Sequence, residues 1–297
     1  NFAFQNSMIS ALSIPDCLHE LSENWCNGVE HLKEIQINEN HEHFLYENGI
    51  LISKEKNEIV FARRDLAGSL ALPKYVKRIR PSAFCMCKEI SSFTMQSQVL
   101  EAIDSFAFCQ CTKLRNLNIE GPKQLNLGDN CFSFNSSLMN VIIKCDELII
   151  ERNCFQFCSS IASLNFPTIK KISFGQASMF GCNSIDTINI LAENSIELKN
   201  QSLFSLLNLK NIFIKTEKLT FNNDSFKDCP LIDGIYFNSK NDFNSSFLAD
   251  FLKLKVVSLT SFSTLIVTKS SFEKAKQLEK ITLRTKNLII EEGCFKN

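Results

Sequence analysis

Apolar residues recur along this chain in a fixed pattern of about two dozen positions. Ala83, Phe84, Cys87, Ile90, Phe93 and Met95 are followed 24 residues later by Ala107, Phe108, Cys111, Leu114, Leu117 and Ile119, with identical internal spacing. The unit reads small-F-x-x-C-x-x-L-x-x-I-x-I, with a further apolar residue five positions before the phenylalanine. The phenylalanine position then falls at Phe132, Phe155, Met179, Leu203, Phe226, Leu248, Phe272 and Phe295, at intervals of 22 to 24 residues. Self-similarity at this period is the signature of a stacked-coil architecture.

Each segment of the unit predicts its own element. The I-x-I alternation, as in Leu117 and Ile119 or Ile212 and Ile214, puts one face of a short strand in the core. The F-x-x-C-x-x-L spacing places an apolar residue at every third position, which predicts one helical or 3₁₀ turn. A single coil cannot offset its own ordering entropy of roughly 1–2 kcal/mol per backbone residue, so the coils must stack to bury a shared face. The expected fold is an α/β solenoid, a leucine-rich-repeat curved array of about 11–12 coils. Short parallel strands are expected on one face, with short helical or 3₁₀ turns and extended segments on the other, and with phenylalanines and cysteines forming ladders inside.

The amino-terminal part repeats the pattern at a constant offset of 58: Ile14-Pro15, Trp25-Cys26, Val29, Leu32, Ile35 and Ile37 match Leu72-Pro73, Ala83-Phe84, Cys87, Ile90, Phe93 and Met95. Between the two lie three strand-like runs, Phe44 to Tyr46, Gly49 to Ile52 and Ile59 to Phe61, with a polar turn before the third. The expected organisation is a first repeat in residues 1–37, a hairpin insertion in 38–69 and continuous repeats in 70–297. The pattern breaks off inside a unit at Cys294-Phe295, so a fragment of a longer array is expected.

The S/A-F-x-x-C-x-x-L-x-x-I-x-I unit, the L-x-L-P-x-x-V-x-x-I stretch at Leu70 to Ile79 and the F-x-x-x-x-G-I-L-x-S-K stretch at Phe44 to Lys54 resemble the BspA-like leucine-rich-repeat family. The resemblance runs from about residue 10 to the end. It implies a surface protein or adhesin of the kind found in bacteria and mucosal protists, binding host matrix proteins or other cells. Leu203 and Leu248 depart from the pattern by replacing the phenylalanine, and Phe247 by filling a small-residue position, which marks residues 240–260 as the most degenerate unit.

Composition narrows the function further. Lysine plus arginine and aspartate plus glutamate are both 32, so no global field favours nucleic acid or an anionic membrane. No apolar run reaches the length of a membrane helix. Of the thirteen cysteines, Cys87, Cys111, Cys158, Cys182 and Cys229 fill the inward position and Cys131, Cys154 and Cys294 the small one, where a free thiol packs as a small hydrophobe. The alternative is a zinc set or a Cys85–Cys109 disulfide, built from the Cys85-x-Cys87 and Cys109-x-Cys111 pairs one repeat apart. His41-Glu42-His43 lacks a third ligand and reads as an exposed polar stretch. No nucleophile, phosphate-loop or metallohydrolase motif occurs, so neither a catalytic residue, a metal nor a cofactor is assigned and the chain is expected not to be an enzyme. Sequons at Asn135, Asn200, Asn223 and Asn244 are about as many as chance supplies at this composition.

The outward residue of each strand defines a candidate binding face. Its column runs Thr94, Asn118, Ile142, Asn165, Asn189, Phe213, Tyr236, Ser258 and Thr282, beside a second column containing Asn116, Asn140, Asn211 and Gly234. Candidate ligand-binding residues are Ile142, Phe213, Tyr236, Asn189 and Asn211, with Phe213 and Tyr236 expected to stack as an aromatic anchor. The competing reading is that these apolar residues only improve cross-strand packing. The expected role is protein or glycoconjugate recognition on the sheet face of a cell-surface or secreted protein, without nucleic-acid binding or membrane insertion. The alternative is a cytoplasmic scaffold, or the sensor segment of a larger kinase or phosphatase.

Overall fold

In the computed structural model, which describes residues 3–167 and 169–295, each coil carries two short strands joined by a turn. The I-x-I segments form one parallel sheet per half of the array. The strands Ala67–Ala71, Glu89–Gln96, Asn116–Glu120, Asn140–Lys144 and Ser163–Asn165 make the first, and Thr187–Leu191, Asn211–Lys215, Gly234–Ser239, Val256–Ser261 and Lys280–Arg284 the second. The ladder parts between Ser163–Asn165 and Thr187–Leu191, next to Pro167, whose missing N–H cannot donate to a neighbour.

The face expected to combine helical or 3₁₀ turns with extended segments carries no helical turn along these coils and is a second sheet, parallel throughout the repeats. Strands such as Gln124–Leu127, Glu147–Ile150, Lys171–Phe174, Ser195–Leu198 and Lys218–Phe221 pair in register within one ten-stranded sheet. The apolar residue five before each phenylalanine belongs to this strand: Leu127, Ile150 and Phe174 are buried there, beside Leu125, Leu148 and Ile172 two positions earlier. Two apolar residues in a four-residue strand leave a period-2 signal too short to stand out from the rest of the coil.

The F-x-x-C-x-x-L segment is a run of tandem β-turns rather than a helix. The amides of Ala83, Cys85, Cys87 and Ile90 each donate to the carbonyl three residues back, which is why apolar positions recur by threes. Ser82 and Met86, at the third position of their turns, have φ of 60° and 63°, the left-handed conformation of type II turns. Phe106 and Gln110, Asn130 and Phe134, and Asn153 and Phe157 repeat this two residues either side of each ladder phenylalanine. Such a conformation costs a non-glycine residue about 1–2 kcal/mol. Stacking offsets the cost, because the turn amides donate to the next coil, as Phe84 to Ala107 and Met86 to Cys109, both at 2.8 Å. Among the described residues the only helical segments are the 3₁₀ turns Asn223–Phe226 and Ser245–Leu248, so the structure is a β-solenoid of leucine-rich-repeat type. In the degenerate unit Phe247 turns into the core, stacked 5.4 Å from Phe237.

The interior is a ladder of rings. Phe84 and Phe108 stack at 4.7 Å and 5°, Phe108 and Phe132 at 5.3 Å, and Phe132 and Phe155 at 5.5 Å, all fully buried. At the amino terminus the strands Ala11–Ile14 and Glu34–Ile37 pair over a smaller core around Trp25, Val29 and Leu32. The antiparallel strands Phe44–Glu47, Ile50–Ser53 and Glu58–Ala62 lie between the two cores. Leu51 faces the small one and Ile50 and Ile52 the large one. Arg64 ties them together: its buried guanidinium donates to the carbonyls of Val29 and Ala83, both at 2.9 Å, and sits 4.6 Å over the Phe61 ring.

Candidate functional site

The second I-x-I sheet brings four of the five candidate residues together. Asn189, Phe213 and Tyr236 are register partners on three successive strands, and Asn211 is the partner of Gly234 one step earlier. The Phe213 and Tyr236 rings stack 4.4 Å apart at 7°, half-buried, with Asn189 exposed beside them. Ile142 is not part of this patch. It is half-buried on Asn140–Lys144 in the first sheet, between Asn118 and Asn165 and across the break in the ladder.

Gly234 shapes the patch, although the sequence marked it only as a small residue in a column. A Cβ there would come within 2.3 Å of the Asn211 Oδ1 and 3.0 Å of the Tyr236 ring. The bare backbone therefore lets the tyrosine lie down along the sheet with the Asn211 amide beside it. A glycine inside a strand is the signal that could have shown this, since it weakens the strand unless something approaches closely. At the carboxyl end of the same strands a groove of about 580 Å³ runs between the exposed side chains of Leu191 and Phe262, with Lys215, Thr216 and Asn238 in its lining. The patch thus offers an aromatic anchor and amide hydrogen-bonding groups, and the groove beside it combines apolar walls with the charged Glu193, Lys215, Glu217 and Lys240 in its lining.

The remaining candidate chemistry resolves into structural roles. The inward cysteines are hydrogen-bond donors as well as apolar fillers: Cys111 donates to the Phe84 carbonyl at 3.1 Å, Cys158 to Phe132 at 3.0 Å and Cys182 to Phe155 at 3.1 Å. Burial pushes Cys182 and Cys229 up to about 12 and holds Cys111 and Cys158 well above the ordinary thiol range, so these thiols keep the proton they donate. Cys87 donates in the same way to the Arg63 carbonyl at 3.5 Å, and among the described residues the four sulfurs form no group placed to hold a metal ion. All thirteen cysteines are free. A hydrogen bond from Cys85 brings the Cys109 thiol down to about 7, assisted by the Ser133 hydroxyl 3.2 Å away, while Cys85 is raised in turn.

His41 is buried, not exposed as its polar surroundings implied. Its Nε2 lies 3.1 Å from the Pro15 carbonyl and its Nδ1 accepts from the amides of His43 and Phe44, so the ring caps the start of the hairpin. Among the described residues no group of three or more histidine, cysteine, aspartate or glutamate side chains is placed to hold a metal ion. Asn135 is fully buried, so in the folded protein only Asn200, Asn223 and Asn244 of the four sequons are exposed.

Tandem turns, two parallel strands per coil and an interior phenylalanine ladder define a leucine-rich-repeat solenoid. The sequence matches the BspA type leucine-rich repeat region in six copies, over residues 1–48, 57–176, 148–267 and 200–297, and the chain belongs to that family. No curated protein matches it in sequence. In fold it is similar to the pneumococcal vaccine antigen PcpA, at 18% identity and a TM-score of 0.54, over 98% of this chain and 58% of that one. A leucine-rich repeat protein from Eubacterium ventriosum aligns at 15% identity and a TM-score of 0.48, over 95% of this chain and 59% of that one. The chain thus spans under two thirds of the length of both.

Proposed function

We propose that this chain is a non-enzymatic protein-recognition module displayed at a cell surface or secreted, with the patch of Asn189, Asn211, Phe213 and Tyr236 as its contact site. The observation that carries the reading is the stacked Phe213–Tyr236 pair, kept at the surface by a glycine that makes room for it. Aromatic anchors flanked by adaptable amides are the side chains that dominate recognition interfaces. The family supports a repeat scaffold for protein interaction. PcpA is described as a vaccine antigen, which favours display on a cell exterior. No helix among the described residues is long and apolar enough to cross a membrane.

The thirteen free thiols favour a second reading, an intracellular scaffold in a reducing compartment. Antibodies raised against the chain separate the two: staining of intact cells supports surface display, and staining only after permeabilisation supports the scaffold. The contact site is tested by solid-phase binding to a panel of purified matrix glycoproteins. Replacing Phe213 and Tyr236 by alanine together should weaken the binding at least tenfold, and unchanged binding removes the patch from the proposal.

A further inference from the structure

Two thiols meet across consecutive coils in the tandem turns. Cys85 and Cys109 each follow a ladder phenylalanine, and the main-chain bonds from Phe84 to Ala107 and from Met86 to Cys109, both at 2.8 Å, bracket them. Their Cα atoms are therefore about one strand spacing apart, roughly 4.8 Å, inside the range of about 4.4–6.8 Å that a disulfide bridges. The Cys85 thiol already donates a hydrogen bond to the Cys109 sulfur. From the coil beyond, the Ser133 hydroxyl donates to the same sulfur at 3.2 Å. Donors from both neighbouring coils thus converge on Cys109 and favour its thiolate.

A second pair shows what sets this one apart. Cys131 and Cys154 also meet across consecutive coils and share a hydrogen bond, with the Phe132 amide donating to the Cys154 carbonyl at 2.8 Å. Both are fully buried, and burial holds Cys131 well above the ordinary thiol range. Cys85 and Cys109 instead keep 6% and 5% of their surface, a narrow opening to solvent. The two pairs share a geometry and differ in access and in the state of the sulfur.

We propose that Cys85 and Cys109 are a redox-active site, in which Cys109 attacks hydrogen peroxide and Cys85 resolves the product into a disulfide between the two coils. The Cys109 thiolate attacks one peroxide oxygen and breaks the O–O bond, so that the sulfur becomes a sulfenic acid and hydroxide leaves. The Cys85 sulfur then displaces the sulfenic oxygen, which departs as water with the Cys85 proton. The two thiols together lose two electrons, and the peroxide is reduced to two waters once the hydroxide takes up the proton that Cys109 released. A small oxidant suits so narrow an opening, and an acidified thiol beside a resolving one is the arrangement of reversibly oxidised cysteines. The site stands independently of the sheet patch, so either can fail alone.

The test treats the reduced full chain with hydrogen peroxide at neutral pH, blocks the remaining thiols with N-ethylmaleimide and maps tryptic peptides by mass spectrometry. A disulfide joining residues 79–88 to residues 89–113 is expected, placed by fragmentation between Cys85 and Cys109 and removed by dithiothreitol. It should form at least about tenfold faster than any link between Cys131 and Cys154. Cys85→Ser, which keeps a donor beside Cys109 but cannot resolve, should leave a Cys109 sulfenic acid that dimedone captures. Absence of the disulfide, a link that favours Cys87 or Cys111, or equal rates for the two pairs overturns the inference. So does a Cys85→Ser chain of parental circular dichroism that yields no dimedone adduct at Cys109. The disulfide map of the parent decides the matter even if that variant melts early.

Discussion

The side-chain amide of Asn135 donates to the main-chain carbonyl of Phe108 at 3.0 Å, the bond that Cys111 makes to Phe84 with its thiol one coil earlier. Asn135 also reaches the Phe132 carbonyl at 2.8 Å. From Cys111 to Cys182 the inward column is filled by small donors rather than by sulfur as such, and their bonds hold each of these turns to the coil before it. Asn135→Cys should change stability by less than about 1 kcal/mol, whereas Asn135→Leu, which leaves the buried Phe108 carbonyl unpaired while Phe132 keeps the Cys158 thiol, should cost about 1–3 kcal/mol. Urea unfolding monitored by circular dichroism compares the two, and equal losses would show that the column matters only for volume.

Phenylalanines inside and outside the turns should behave oppositely. Phe132→Ala removes a fully buried ring stacked on both neighbours and is expected to cost about 3–5 kcal/mol. Phe134→Ala, two residues away and 42% exposed, should cost less than about 1 kcal/mol. Denaturant midpoints of the two variants decide the matter.

Arg64 holds the first coil to the rest of the array. Arg64→Met leaves the Val29 carbonyl without its donor and removes the charged bonds to the Ala83 and Ser82 carbonyls, of which Ala83 keeps the Ala62 amide, and should destabilise that junction by about 2–4 kcal/mol. Limited proteolysis of the variant should cut first within residues 3–43 and leave 70–295 resistant. Uniform digestion would mean that the two cores unfold as one.

Gly234→Ala tests how the aromatic patch is held. The added methyl must displace either Asn211 or the Tyr236 ring, so the near-ultraviolet dichroism of the stacked pair should fall while the far-ultraviolet spectrum persists. An unaltered near-ultraviolet signal would show that the ring does not depend on the glycine.

Cys109 should react more readily than the other buried thiols. Its acidity near 7 comes from the Cys85 hydrogen bond and the Ser133 hydroxyl, so the thiolate grows as pH rises through that value, and the first proton lost belongs to the Cys85–Cys109 pair. Iodoacetamide labelling read by peptide mass mapping should modify exposed Cys17 and then Cys109, with a midpoint near pH 7 for Cys109 that rises in Ser133→Ala. Labelling of Cys109 no faster than Cys182 would contradict this.

The repeat itself was legible before any coordinates, because burial in a stacked coil forces apolar residues into the same slot each turn. Phe84, Phe108 and Phe132 announce the ladder, and Phe213 and Tyr236 announce a stacked pair one coil apart. Sequence spacing also determined the coil length, the I-x-I strands and the register that places Asn211 beside Gly234. Tertiary structure alone decided what the three-residue spacing meant. A helix and a run of β-turns both recur by threes, and only bonds between coils, such as Phe84 to Ala107, stabilise left-handed residues like Ser82 and Met86. It also decided where the face divides: the ladder parts beside Pro167 and strands Ile142 away from the aromatic pair. Burial of His41 depends likewise on neighbours supplied by other coils, which no local pattern records.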